Sequence, residues 1–454
     1  MSGLTAAHRI ALAALIGRCP ETVLKSVAAA VAALPGGRAA ELRLMLAEEM
    51  RDRARRAFVL APVARMFQRR ADGIGSMSFP PAVLPRLWRA AIEREPGLLP
   101  RLDDPDGPDA AAVANRYCLS AAAAVRDRPA LVWPEDLEPA RREQGLFDLA
   151  SCLDLAHLAR RGLPSIEVWL KRPDGDQLAE LRLLVKDCSD IHDDGAGRLL
   201  EMLFSQLDDA VLVLRIITRT SGVAGRRGFL SASELAGFVD RLLDGVDERS
   251  ARLAAYQPGK TAGGVDTAIA DLDWCAGVLA ELDVTLTLDP DSEWGRRVRD
   301  SRVKVSGWLS GLLRTADKAV DKALPLTRVQ TSGRMSRMAP MLDAAARGEA
   351  ADAALALLRL VGATRGAAAI FGSEAARKAL VDTLTERLSG YADEVLTMVN
   401  EGEAPDETHA LRLVSVAARY LELIESKDAA RTVRRRAAVA GGGPATSGAS
   451  SRAA

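Results

Sequence analysis

Leu380–Met398 reads LVDTLTERLSGYADEVLTM, and the spacing of its apolar residues decides the fold. Leu380, Leu384, Leu388, Tyr391, Val395 and Met398 recur at steps of three and four, which lines one face of an α-helix. A turn-forming run, Asn400–Pro405, follows. Leu411, Val414, Ala418 and Leu421 then supply a matching stripe. Two such segments joined by a short turn predict an antiparallel helical hairpin, packed on residues 349–361 and 326–346. Arg431–Arg436 ends the region with positive charge, as the carbonyl end of a helix favours.

The composition extends the helical reading to the whole chain. Of 454 residues, 48% are hydrophobic but only 4% aromatic, so the interior is built from Ala, Leu and Val. Alanine loses no side-chain entropy on entering a helix. A sheet-rich chain uses more Tyr, Phe, Ile and Thr. The expected fold is all-α: multi-helix bundles arranged as an elongated or multi-domain helical array. Three ordered regions are expected, at 1–105, 106–325 and 326–438. The tail 439–454, rich in Gly, Ser and Ala, is expected to be disordered because it can bury little apolar surface.

Local signals place the other helices. Ala6–Ile16 and Glu21–Leu34 come first, then a long helix over 38–70 that Pro62 interrupts by removing a donor and crowding the preceding turn. ADGIGSMSFPP (71–81) reads as a loop, and further helices follow near 82–95, 110–127, 138–161 and 176–187. Ile166–Leu170 and Leu181–Val185, with Pro173-Asp174-Gly175 between, also fit a small β-hairpin. Leu199–Arg219 reads as one buried central helix, and Ser231 to Glu234 as a capping box. Helices near 265–283 and 291–324 complete the middle, with Val284–Leu288 as a short strand candidate.

Lys plus Arg and Asp plus Glu both total 61, which disfavours a general nucleic-acid coat. The balance is not uniform. Residues 1–101 hold 16 basic against 8 acidic side chains, a net of +8, and residues 102–210 hold 12 against 22, a net of −10. Such blocks either attract each other within the fold or face a partner. The five cysteines are scattered without a C-x-x-C pair, as expected of separate buried thiols in a reducing compartment. The apolar stretch Ile10–Ile16 is short for a signal sequence, and Arg18 stands where a lipoprotein signal needs a small residue. With the Ala and Arg excess, a bacterial cytoplasmic protein is expected.

Three stretches carry candidate chemistry. The first is Asp187–Asp194 (DCSDIHDD), with His157 upstream. Imidazole with carboxylate suits a divalent metal ion that activates water. The order of His157, then His192-Asp193, then Asp266 or Asp271 resembles the helical HD-type metal phosphohydrolases. That resemblance implies a metal held by His157, His192 and Asp193, and a phosphate-ester substrate. The residues before the dipeptide are polar, where that family is usually apolar. The competing reading is an acidic loop that complements the positive end of a helix starting near Gly197.

The second stretch, Pro258-Gly259-Lys260-Thr261, matches the end of a phosphate-binding loop, but Ala254 stands where its first glycine belongs. It reads as an interhelical turn. The third is basic: Arg51, Arg53, Arg55 and Arg56, with Arg69 and Arg70, bracket an apolar run. It is a candidate for a partner groove or an anionic membrane surface. Nucleic acid is the least favoured partner, because Glu48, Glu49 and Asp52 dilute the positive charge. The six tryptophans are expected as packing anchors. The preferred expectation is a non-enzymatic scaffold or adaptor that binds other proteins and needs no cofactor. The alternatives are the metal-dependent phosphohydrolase and a peripheral membrane protein.

Overall fold

The computed structural model describes residues 4–171, 173–209, 211–221, 236–258, 264–286, 288–330 and 336–441. The capping-box candidate at Ser231–Glu234, Gly259 to Thr261 of the phosphate-loop candidate and the tail beyond Gly441 lie outside the described residues. Among the described residues the chain forms 21 α-helices and one two-stranded sheet. Contacts gather it into two compact units, Met1–Ala224 with Phe229–Phe238, and Gly225–Gly228 with Val239–Ala454. Positions 105 and 325, where boundaries were expected, each fall inside a unit.

The first unit opens with α1 (Ala6–Arg18), α2 (Glu21–Ala32) and α3 (Gly37–Val59), which pack around Ile16, Leu24, Val31 and Leu46. Thr5 caps α1 by accepting from the His8 amide at 3.3 Å, satisfying an otherwise orphaned donor. Helix α3 stops at Leu60, and Pro62 sits at the start of α4 (Ala61–Ala64), where its missing N–H costs nothing. Next come α5 (Val83–Arg94), α6 (Ala110–Asp127), α7 (Pro129–Val132), α8 (Pro139–Asp154) and α9 (Ala156–Gly162). Their interior holds Trp88 against Tyr117, ring centroids 5.7 Å apart, and fully buried Trp133.

Helices α10 (Ile166–Leu170), α11 (Gly175–Ile191), α12 (Gly195–Gln206) and α13 (Leu212–Ser221) follow in this unit. The hairpin alternative at 166–185 is therefore replaced by two helices. Asp174 accepts from the Gln177 amide while the Gln177 side chain accepts from the Asp174 amide, and this reciprocal cap commits the segment to helix. The single central helix is also corrected. Leu207 is extended, and Asp209 takes the Val211 amide at 2.9 Å, so α13 starts afresh.

The second unit contains most of α14 (Ala236–Ala255), then α15 (Gly264–Thr285), α16 (Glu293–Ala323), α17 (Glu349–Ala363), α18 (Arg365–Ile370), α19 (Glu374–Asn400), α20 (Glu407–Leu423) and α21 (Lys427–Gly441). The expected hairpin is α19 and α20. Its buried stripes are Leu384, Leu388, Tyr391, Val395 and Val399 on one side and Leu413, Val414, Ala417 and Leu421 on the other. Leu380, Met398 and Leu411 lie at the edges of these stripes. As expected, α17 packs on α20. Within 326–346, β1 (Leu326–Gln330) pairs antiparallel with β2 (Ser336–Pro340), and β2 lies on α19. Val284 and Thr285 belong to the end of α15, so no strand forms there among the described residues.

Candidate functional site

The two histidines of the metal-site candidate meet the same residue, Asp154, at the end of α8. The His192 Nε2 lies 3.1 Å from Asp154 Oδ2, and the His157 Nδ1 lies 3.0 Å from the Asp154 carbonyl oxygen. The Asp154 carboxylate is already engaged by Arg126, which donates through both terminal nitrogens. His157 and Asp193 are exposed. Asp266 and Asp271 belong to the second unit, where Asp266 pairs with Arg359 and Asp271 with Arg252. Among the described residues no three His, Cys, Asp or Glu side chains are placed to hold a metal ion. The acidic loop forms the end of α11 and the turn into α12. Asp194 precedes that helix and pairs with Arg198 at 2.5 Å.

The basic segment divides. Arg55 pairs with Asp103, and Arg70 pairs with Asp72, donates to the Phe204 carbonyl at 2.7 Å and lies over the Phe204 ring. Burial, the largest influence, lowers the pKa of Arg56. Arg51 and Arg69 are exposed and form no ion pair among the described residues. The opposite charge blocks meet within the fold, through Arg55–Asp103, Arg65–Asp208, Arg94–Asp127 and Arg101–Asp109. Arg53 has a structural task. It donates to the carbonyls of Cys19 at 2.9 Å and Ile16 at 3.0 Å, holding the end of α1 against α3.

Three tryptophans (Trp88, Trp133 and Trp169) are fully buried, as anchors should be. The five thiols are all free, four buried and Cys19 half-buried. Burial pushes the Cys118 thiol up to about 11 and those of Cys188 and Cys275 up to about 12. Such thiols stay protonated and inert at neutral pH.

The feature not anticipated from the sequence is an uncovered apolar face on the first three helices. Of the 18 exposed large apolar side chains among the described residues, six (Ile10, Leu15, Val23, Val27, Leu34 and Leu44) lie within the first 44 residues. A third of this exposure thus sits in a tenth of the chain. Val23, Val27, Ala30 and Leu34 follow one another at helical steps on and just beyond α2, beside the buried Leu24 and Val31. The apolar arc of α2 is therefore wider than α1 and α3 cover. A shallow groove lined by Thr22, Val23, Ser26, Val27 and Ala30 runs along it. Arg9, Arg18 and Arg51, on the same helices, are exposed and form no ion pair among the described residues. The sequence signal was present: apolar residues in VLKSVAAAVAAL (23–34) occupy more than one helical face.

No protein-family model, no curated protein and no solved structure matches this chain. Among the described residues no helix is long and apolar enough to cross a membrane.

Proposed function

We propose that the protein is an adaptor of the bacterial cytoplasm that binds an amphipathic, acid-flanked helix of a partner protein along α2. The observation that carries this reading is the exposed row Val23, Val27, Ala30 and Leu34 beside a groove. Anchors at such steps are how a helix seats in a groove of another protein, and exposed apolar rows of this kind mark interaction surfaces. A fourth helix laid there extends the small core of Ile16, Leu24, Val31 and Leu46. Arg9, Arg18 and Arg51 supply positive charge that favours acidic flanks on the incoming helix.

The test is selection from a displayed library of amphipathic helices, panned on the full chain and on Val27→Asp/Leu34→Asp. Enriched helices should carry apolar anchors with acidic flanks, and the double variant should bind them at least about tenfold more weakly. Enrichment equal on both proteins overturns the reading. So does an absence of selected helices combined with binding to anionic vesicles that the double variant loses, because the face is then a membrane surface.

A further inference from the structure

We infer that the second unit holds a binding site for an uncharged, mainly apolar small molecule bearing a carbonyl or hydroxyl oxygen. The site is a cavity of about 520 Å³ between the end of α16, the β1–β2 hairpin and α19. Its volume falls within the ~300–1,000 Å³ of ordinary ligand pockets. Its apolar lining includes Val320 and Leu324 of α16 and the residue after it, Leu326 and Met338 of the hairpin, and Leu388 and Tyr391 of α19.

Four independent observations point to an occupant. Tyr391 is only 5% exposed, and its hydroxyl has no hydrogen-bond partner among the described residues. Burying a hydroxyl without a partner is costly, so a ligand oxygen there recovers the loss. The neighbouring Arg387 spends its terminal nitrogens on Asp317 and Asp321 but leaves its buried Nε–H unmatched. Gly390, in the middle of a 27-residue helix, lines the cavity, and a Cβ added to it meets nothing within 4 Å. Helix interiors disfavour glycine, and here the missing side chain leaves this exposed edge of the cavity open. Leu326 and Met338, apolar side chains on the cavity wall, are 43% and 56% exposed.

The charges fix the class of ligand. Two carboxylates, Asp321 and Glu394, line the cavity with a single guanidinium, that of Arg387, which already pairs with Asp321. Arg337 neutralises Glu394. Among the described lining residues no positive charge is left over for an anion, whereas the Tyr391 hydroxyl and the Arg387 Nε–H can both donate. The occupant therefore offers an acceptor oxygen on a neutral, apolar body.

The experiment screens neutral apolar probes carrying one carbonyl or hydroxyl, each with its matched carboxylate, by ligand-observed NMR on the full chain. Neutral probes should bind, and their carboxylates at least about tenfold more weakly. Gly390→Leu, which places a branched side chain in the cavity lining, should abolish binding while far-UV circular dichroism is unchanged. Tyr391→Phe removes only the hydroxyl and should weaken binding about tenfold, the loss expected of one hydrogen bond in an apolar site. Failure of every neutral probe to bind overturns the inference. Binding unaffected by both variants, or carboxylates binding as tightly as their neutral partners, does the same.

Discussion

Glycine to alanine should have opposite effects at two positions of the second unit. Gly362 lies near the end of α17, where a Cβ would stand 2.0 Å from the Leu423 carbonyl oxygen of α20. Ordinary contact needs about 3.4 Å, so the two helices must separate by more than about 1 Å. That shift disturbs a dry interface including Leu358, Val361 and Leu421, each fully buried. It also strains the hydrogen bonds from Arg377 to the Val361 and Gly362 carbonyls. Overpacking of this kind costs about 1–3 kcal/mol, here at the upper end because the 2.0 Å approach is to backbone; after the roughly 1 kcal/mol that alanine contributes in a helix, a loss of about 2 kcal/mol remains. Gly390→Ala meets no neighbour and gains up to about 1 kcal/mol. A unit of this size shifts its Tm by roughly 2–4 °C per kcal/mol. Scanning calorimetry on both variants should therefore show Gly362→Ala melting several degrees below wild type and Gly390→Ala up to a few degrees above it. A Gly362→Ala variant that melts with wild type, or two shifts of the same sign, would refute the close-approach reasoning.

Other perturbations follow from the same contacts. Arg53→Met removes the donors that hold the end of α1, and hydrogen exchange of residues 6–19 should accelerate in line with an opening about 2 kcal/mol easier; unchanged exchange would show that the latch contributes nothing. A thiol reagent at pH 8 should modify Cys19 alone in the native protein and all five cysteines after unfolding, which mass spectrometry reads directly. Stability should fall as pH rises from about 9 to 12. The native state keeps Cys118, Cys188, Cys275 and Tyr391 protonated up to about 11 or 12, whereas in the unfolded chain they ionise near 9 or 10. Protons are then lost first from the unfolded state, which favours it, and urea titrations across that range should show the decline.

Local periodicity made much of the fold legible. The stripes of α19 and α20 and the break at Pro62 depend on neighbours three or four residues away. The β1–β2 hairpin escaped because LTRVQ has apolar residues on both parities, at Leu326 and Val329, so no period of two stands out. The cap at Asp174 was present in the residues, yet Pro173-Asp174-Gly175 also fits a turn. The meeting of His192 with Asp154 spans 38 residues, and no local pattern reports it. The pairing of the charge blocks was foreseen as one of two options, but which arginines stay outside was settled by tertiary geometry. The same holds for the α2 face. Its breadth is in the sequence, but its exposure depends on how little of it α1 and α3 cover.

Hydrogen exchange of the full chain with a selected amphipathic helix tests the adaptor reading most directly. New protection should appear along residues 21–34 and the facing part of α1, and be absent in Val27→Asp/Leu34→Asp. Protection elsewhere in the chain, with these residues unchanged, would contradict it.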